Sequence, residues 1–73
     1  MYTVSKILPY GKATYCTVVP SLNRARMLAC AQSQQEGLAG VSIHPEEYTP
    51  DTLPIHCPEV WVNGKTLFTN LDA

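Results

Sequence analysis

The chain has 73 residues and a mass of 8.0 kDa, which is room for one small domain and too little for two hydrophobic cores. Hydrophobic residues make up 45% of the sequence, but the apolar runs are only about five residues long, against the roughly twenty that span a bilayer. The net charge of −1 excludes a strongly basic nucleic-acid binder. We therefore expect a single globular domain with no membrane anchor, and nucleic acid is a disfavoured partner.

The cysteines and the start of the chain predict a cytoplasmic protein. Cys16, Cys30 and Cys57 are an odd number, so a fully paired set of disulfides within the chain is impossible. Met1 runs directly into a β-rich segment, without the basic and apolar regions of a signal peptide. Because so small a domain buries only about 60% of its unfolded surface, we also expect it to gain stability from a partner or as a homodimer.

The first half of the chain predicts a β-hairpin and then a helix. Tyr2 to Leu8 and Ala13 to Val19 are rich in β-forming residues and are separated by turn residues. Ser21 is a good N-cap, and Gly37 suits the left-handed conformation that follows a helix, which predicts a helix from Leu22 to Glu36. The stripe expected to face the sheet contains Leu22, Ala25, Leu28, Ala29 and Gln32.

The second half predicts three more strands around a long loop. Leu38 to Ile43 alternates as a third, central strand, and the four prolines between His44 and Pro58 indicate an irregular loop. The Asn63-Gly64 pair then suits a type I′ turn of a final hairpin, and the tail from Thr69 to Ala73 should fray. The predicted fold is α+β, with the order ββαβββ and one helix on a four- or five-stranded antiparallel sheet.

The aromatic residues of the last hairpin give a candidate binding surface. With a two-residue turn, regular pairing places Val60 opposite Leu67, so Trp61 and Phe68 share the sheet face that points away from the helix. Tyr15 is expected on that face too. Exposed aromatic residues would mark a surface for a partner or for base stacking. The alternative is that Trp61 and Phe68 are covered by the loop, or that the register is shifted by one residue and they belong to the core.

Charge is distributed unevenly along the chain. Residues 1–35 contain four cations and no acid, whereas residues 36–73 contain six acids and one cation, which gives +4 and −5. The cations of the first half are Lys6, Lys12, Arg24 and Arg26. Arg24 and Arg26 lie near the positive end of the predicted helix, where folding alone favours acids, so a binding role for them competes with simple solvation.

No pattern in the sequence predicts catalysis, a cofactor or a metal. The possible ligands follow no zinc-site spacing, and we expect Cys16 and Cys30 to behave as small buried hydrophobic residues and the two histidines to lie in a solvated loop. These residues are Cys16, Cys30, Cys57, His44 and His56. Glu46 and Glu47 would form an acid-base cluster with His44 only if the loop held them together, and a solvated acidic loop is the simpler prediction. We therefore expect a protein that is not an enzyme.

Several short motifs resemble a family of small phage proteins, the type I-F anti-CRISPR inhibitors. The motifs are Ser21-Leu22, Ala25-Arg26 and Leu28-Ala29 in the helix, the return from Gly37 to Ile43, and the turn Val62-Asn63-Gly64. The resemblance implies binding to an RNA-guided surveillance complex and obstruction of its target DNA. Lys6 and Arg26 match basic positions of the family pattern. The loop from Pro45 to Pro58 and the acidic second half depart from that pattern.

The leading hypothesis is a non-enzymatic binding module that occludes a surface of a host protein or ribonucleoprotein complex. The predicted partner-binding residues are Lys6, Arg24, Arg26, Trp61 and Phe68. One alternative is a module that binds single-stranded nucleic acid on the open sheet face. Another is an assembly factor that associates head to tail through its positive and negative halves.

Overall fold

A computed structural model describes residues 1–71 and shows one helix packed on a five-stranded antiparallel sheet. The elements are β1 (Tyr2–Ile7), β2 (Ala13–Val19), α1 (Leu22–Gln32), β3 (Gly40–His44), β4 (Glu59–Val62) and β5 (Lys65–Thr69). The strands lie in the order β2-β1-β3-β4-β5, so β3 is central and β2 and β5 form the two edges. The predicted fold class and element order are confirmed.

The helix starts where the sequence predicts but ends earlier. The Ser21 hydroxyl accepts the Arg24 amide at 3.2 Å and caps the N-terminus. The helix ends at Gln32 rather than at Glu36. Ser33 is buried there because it accepts two amides of the β4–β5 turn, with its carbonyl 3.1 Å from the Asn63 nitrogen and its hydroxyl 2.8 Å from the Gly64 nitrogen. This tertiary anchor stops the helix one turn short.

The core lies between α1 and one face of the sheet. Ala25 and Ala29 are fully buried, and their small side chains let the helix backbone lie close to the strands. The core residues are Val4, Leu22, Ala25, Ala29, Val41 and Ile43, with Tyr2, Val19, Leu28, Leu38, Trp61 and Leu71 packed around them. The predicted stripe on the helix is confirmed at Leu22, Ala25 and Ala29 and extends to a half-buried Leu28.

The centre of the opposite sheet face is also buried, which corrects the expectation of an open face. Four polar side chains there, which we call the polar row, are at most 1% exposed: Thr3, Ser5, Ser42 and His44. Residues 45–58, which we call the strap, cover them. The Thr3 hydroxyl donates to the Glu46 carbonyl at 2.6 Å and accepts the Tyr48 amide at 2.9 Å. His44 therefore belongs to β3 and not to a solvated loop, whereas His56 is exposed.

The final hairpin has the predicted turn but a different register. Asn63 and Gly64 have φ of 52° and 78°, as a type I′ turn requires. A bulge makes Leu67 an extra residue, so Phe68 rather than Leu67 pairs with Val60. Trp61 pairs with Val41 and lies on the helix side. Since Val60 and Phe68 lie on the strap side, the predicted common face of Trp61 and Phe68 is wrong.

The end of the described chain is attached to the sheet. Thr69 is the last residue of β5, and the Asn70 amide donates to the Pro58 carbonyl at 2.7 Å. Leu71 is half-buried against the core. The remainder of the predicted frayed tail, Asp72 and Ala73, lies outside the described residues.

Candidate functional site

A buried ion pair between Arg26 and Glu59 joins α1 to β4. Two of the predicted binding residues, Arg26 and Trp61, contact the Glu59 carboxylate. The Glu59 carboxylate is fully buried. The Arg26 guanidinium donates to it from two nitrogens: Nη2 to Oε1 at 2.9 Å, and Nε to Oε2 at 3.1 Å and to Oε1 at 3.3 Å. Trp61 Nε1 donates to Oε2 at 2.8 Å, and the Thr69 hydroxyl donates to Oε1. The carboxylate thus receives donors from α1, β4 and β5.

The donors around Glu59 determine its ionisation. Burial disfavours the charged form, but the hydrogen bonds from Arg26, Thr69 and Trp61 outweigh that cost and hold the pKa of Glu59 below its usual value. The same contact raises the pKa of Arg26. A carboxylate that is charged and paired at neutral pH joins the helix to β4 and is unsuited to exchange protons near that pH. Arg26 and Trp61 therefore have internal contacts, whatever they contribute to a partner.

Phe68 and Leu67 form a small apolar surface on the β5 edge. Leu67 is 65% exposed and Phe68 is 44% exposed. The bulge separates their pairing positions, and Phe68 lies beside Val60 at the margin of the strap side. Phe68 is therefore accessible to another molecule, but Trp61 does not lie next to it.

A second surface surrounds the β2 edge and carries the cations. Lys6 and Tyr15 are paired across β1 and β2, and Lys6 Nζ lies 5.3 Å from the centroid of the Tyr15 ring, within cation–π range. Tyr15 lies on the helix side, not on the strap side as expected, because Lys6 pairs in turn with the core residue Val41. It remains 55% exposed. Lys12, directly before β2, and Arg24, in the first turn of α1, are both exposed.

A cavity of about 220 Å³ opens between the strap and the turn that joins β1 to β2. Leu53 and Pro54 form its strap wall, Lys12 lies on its other wall, and Ser42 and Cys57 line it as well. Its lining is mainly apolar with one cation. No acidic side chain lines it among the described residues.

The polar row brings a serine and a histidine together without making a nucleophile. Ser42 Oγ lies 3.1 Å from His44 Nε2 and is also hydrogen bonded to the Ser5 hydroxyl. Burial and the nearby His56 lower the pKa of His44. Ser42 and His44 are at most 1% exposed, and although Ser42 lines the cavity, His44 does not.

Two of the three thiols, those of Cys16 and Cys57, lie in environments that disfavour the thiolate. Burial raises the pKa of Cys16, and it raises the pKa of Cys57 despite a hydrogen bond with Ser42 that acts in the opposite direction. Thiolate is the reactive form of cysteine, so both environments reduce reactivity.

The sequence did not predict two features of the structure: the shared environment of Glu59 and Trp61, and the edge position of β2. Glu59 precedes Trp61 by two residues, and that spacing would have placed both side chains on one face of a strand. The edge position of β2 follows from β3 pairing with β1, a contact between segments far apart in the chain.

Among residues 1–71, no group of three or more His, Cys, Asp and Glu side chains is arranged to hold a metal ion. In that same part of the chain, no helix has the length and apolarity needed to cross a membrane. Comparison of the chain with protein-family profiles, with curated protein sequences and with solved structures finds no match.

Proposed function

We propose that this protein is a small, non-enzymatic binding protein that occupies a surface of a larger complex and so blocks it. The partner is a host protein or ribonucleoprotein complex, and the site of action is the host cytoplasm, with the chain encoded by a phage. The resemblance to type I-F anti-CRISPR inhibitors makes an RNA-guided surveillance complex the first partner to test. Such a protein needs an accessible recognition surface and no reaction centre.

One observation carries the proposal: Lys6, Lys12 and the exposed Tyr15 ring lie on or beside the edge strand β2. Lys6 lies over the exposed Tyr15 ring, Lys12 is exposed directly before β2, and Arg24 is exposed in the first turn of the helix that follows β2. The first 35 residues contain no acid that would neutralise them. A cationic edge with an aromatic centre supports recognition of an acidic partner surface, where charge accelerates encounter and an aromatic group supplies buried contact area.

Arg26 and Trp61 have a supporting role in this proposal. Their contacts with Glu59 fix α1 against β4 and so hold the helix that presents Arg24. Phe68, on the opposite edge, is a second contact for a partner large enough to reach both edges.

The nucleic-acid alternative predicted from sequence loses its structural premise. It requires an open sheet face with several aromatic groups, but Trp61 and Phe68 lie on opposite faces and the strap covers the polar row between the edges. Titration with short single strands at about 50 mM salt tests it directly, since phosphate binding weakens steeply as salt rises. We expect no salt-dependent signal.

The experiment for the proposal uses purified chain and a purified surveillance complex. We expect the chain to bind the complex and to prevent it from binding its target DNA, more strongly at low salt than at high salt. The double variant Lys12→Glu with Arg24→Glu should reduce both effects. Lys65→Glu, which reverses one cation on the other edge, is the control that matches each single variant, Lys12→Glu or Arg24→Glu, in charge. Failure of the chain to bind this complex, and to capture any complex from several candidate hosts at low salt, would refute the proposal.

A further inference from the structure

The two edges of the sheet differ in their protection against pairing with another strand. β5 begins with Lys65 and contains the bulge at Leu67, and both features discourage the addition of a strand. β2 has seven residues and contains neither a charged residue nor a proline. Its one irregularity lies at its start, and from Tyr15 to Val19 it pairs regularly with β1. The outer side of this five-residue stretch is a regular template for main-chain hydrogen bonds.

The side chains along this stretch alternate between the two layers of the protein. Tyr15, Thr17 and Val19 lie on the helix side, because their partners in β1 include the core residue Val4. Cys16 and Val18 lie on the strap side. An added strand would continue both apolar surfaces, with β-branched or aromatic residues beside Tyr15 and Val19.

The charges around the edge indicate what the added strand carries. Lys12 directly precedes β2, and Arg24 lies in the first turn of the helix that follows it. Both side chains are exposed, and Lys6 lies on the neighbouring strand. A strand with carboxylates at its ends would be attracted by these cations, whereas a basic strand would be repelled by them.

We propose that the outer edge of β2 binds an extended acidic segment of the partner protein as a sixth strand of the sheet. This inference rests on the proposed function and adds the mode of binding. Main-chain hydrogen bonds supply the common part of the affinity, and the terminal carboxylates supply the specificity. The same edge would reject a lysine-flanked strand and a strand interrupted by proline.

The test uses three synthetic peptides and amide NMR spectra of the labelled protein. The probe is Glu-Val-Thr-Val-Thr-Val-Glu, the charge control replaces both glutamates with lysine, and the backbone control replaces the central valine with proline. We expect the probe alone to shift the amides of Tyr15–Val19 and to slow their hydrogen exchange, while those of Lys65–Thr69 stay unchanged. Lys12→Glu with Arg24→Glu should weaken binding about tenfold or more, and Lys65→Glu should change it less than about twofold.

Three results would overturn the inference. They are shifts centred on β5, equal binding of the lysine-flanked peptide, and an absence of shifts at the highest soluble peptide concentration. Hydrogen exchange in the complex with the native partner separates this inference from the proposed function. A bound partner that leaves the β2 amides unprotected would refute strand addition and leave the binding function standing. Loss of all partner binding would refute the function, while the peptide result would stand by itself.

Discussion

The Arg26–Glu59 pair gives the most direct test of how this domain is stabilised. For 73 residues, the free energy of unfolding should be about 4 to 11 kcal/mol. Removing one partner of a buried ion pair costs about 3 to 5 kcal/mol. Because the Arg26 side chain is 27% exposed and Glu59 keeps its donors from Trp61 and Thr69, we expect Arg26→Ala to cost about 2 kcal/mol.

The measurement is urea unfolding followed by circular dichroism at pH 7. With a slope near 1 kcal/mol per molar urea, the midpoint of Arg26→Ala should fall by about 2 M. Arg24→Ala is the matched control, because Arg24 lies on the same helix, is exposed, and forms no ion pair among residues 1–71; it should change stability by less than about 0.5 kcal/mol. Joint replacement of Arg26 and Glu59 by methionine should cost less than Arg26→Ala, since no buried charge is then left without its partner.

The pH dependence of the cost of Arg26→Ala tests the same reasoning. In the native protein the pKa of Glu59 is lowered, so its stabilisation is complete above the unfolded pKa and is lost as pH falls through the folded pKa. In Arg26→Ala the Glu59 carboxylate loses its main donor, while burial still disfavours its charged form. Protonation of Glu59 in the variant should therefore restore part of the lost free energy of unfolding. The cost of Arg26→Ala should therefore be smaller at about pH 4 than at pH 7. An equal cost at both pH values, or a cost below about 0.5 kcal/mol at pH 7, would refute this account.

Three further predictions concern the turn, the helix packing and the polar row. Gly64→Ala should lower the free energy of unfolding by about 1 to 2 kcal/mol, because φ is +78° and a Cβ would lie 2.9 Å from the Gln34 amide nitrogen. In thermal unfolding the control Asn63→Gly should be nearly neutral, and equal effects of the two variants would contradict the turn assignment. Ala29→Leu should cost about 1 to 3 kcal/mol by overpacking, and Ala31→Leu, at an exposed position of the same helix, should not, so similar denaturation midpoints would disprove the close approach of helix and sheet. NMR titration should show His44 with a pKa below the usual histidine value. Since the unfolded chain binds that proton more readily, the free energy of unfolding should fall as pH drops from about 7 through the folded pKa. A normal pKa would show that His44 is solvated.

Local sequence signals predicted most of the fold. The Ser21 cap, the Asn63-Gly64 turn and the alternation in β1 and β3 each act over a few residues, and each produced the element expected. The α+β order, with a hairpin at each end of the chain, then leaves few ways to pair the strands. The predicted central position of the third strand is confirmed, and its neighbours are β1 and β4.

The departures arise from contacts between distant parts of the chain. The helix ends at Gln32 because Ser33 is hydrogen bonded to a turn some thirty residues later, and no local signal marks that position. The Leu67 bulge shifts the register of β5 by one residue, which is enough to move the aromatic partner to the other face. Whether the strap covers the polar row depends on its contacts with Thr3, at the opposite end of the sequence.

The candidate site was predictable only in part. The exposure of Arg24 and the amphipathic helix that presents it follow from helical periodicity. The partner of Arg26 does not, because Glu59 is 33 residues away and sequence alone does not state which acid a cation meets. The roles of Lys6, Arg24, Arg26, Trp61 and Phe68 toward a partner stay predictions.

The central place of β3 also bears on how the protein forms during synthesis. As the chain leaves the ribosome, the first hairpin and the helix emerge early, but two strands and one helix are a marginal unit. Ser5 must wait for Ser42, 37 residues later, before the first hairpin gains a third strand. The Arg26 guanidinium can pair with its carboxylate only after Glu59, which follows Ser42 in the chain, has emerged. The nascent chain should therefore remain loosely organised until β4 has emerged. A chain that has emerged only as far as the strap would leave the edge of β3 that pairs with β4 without a partner strand.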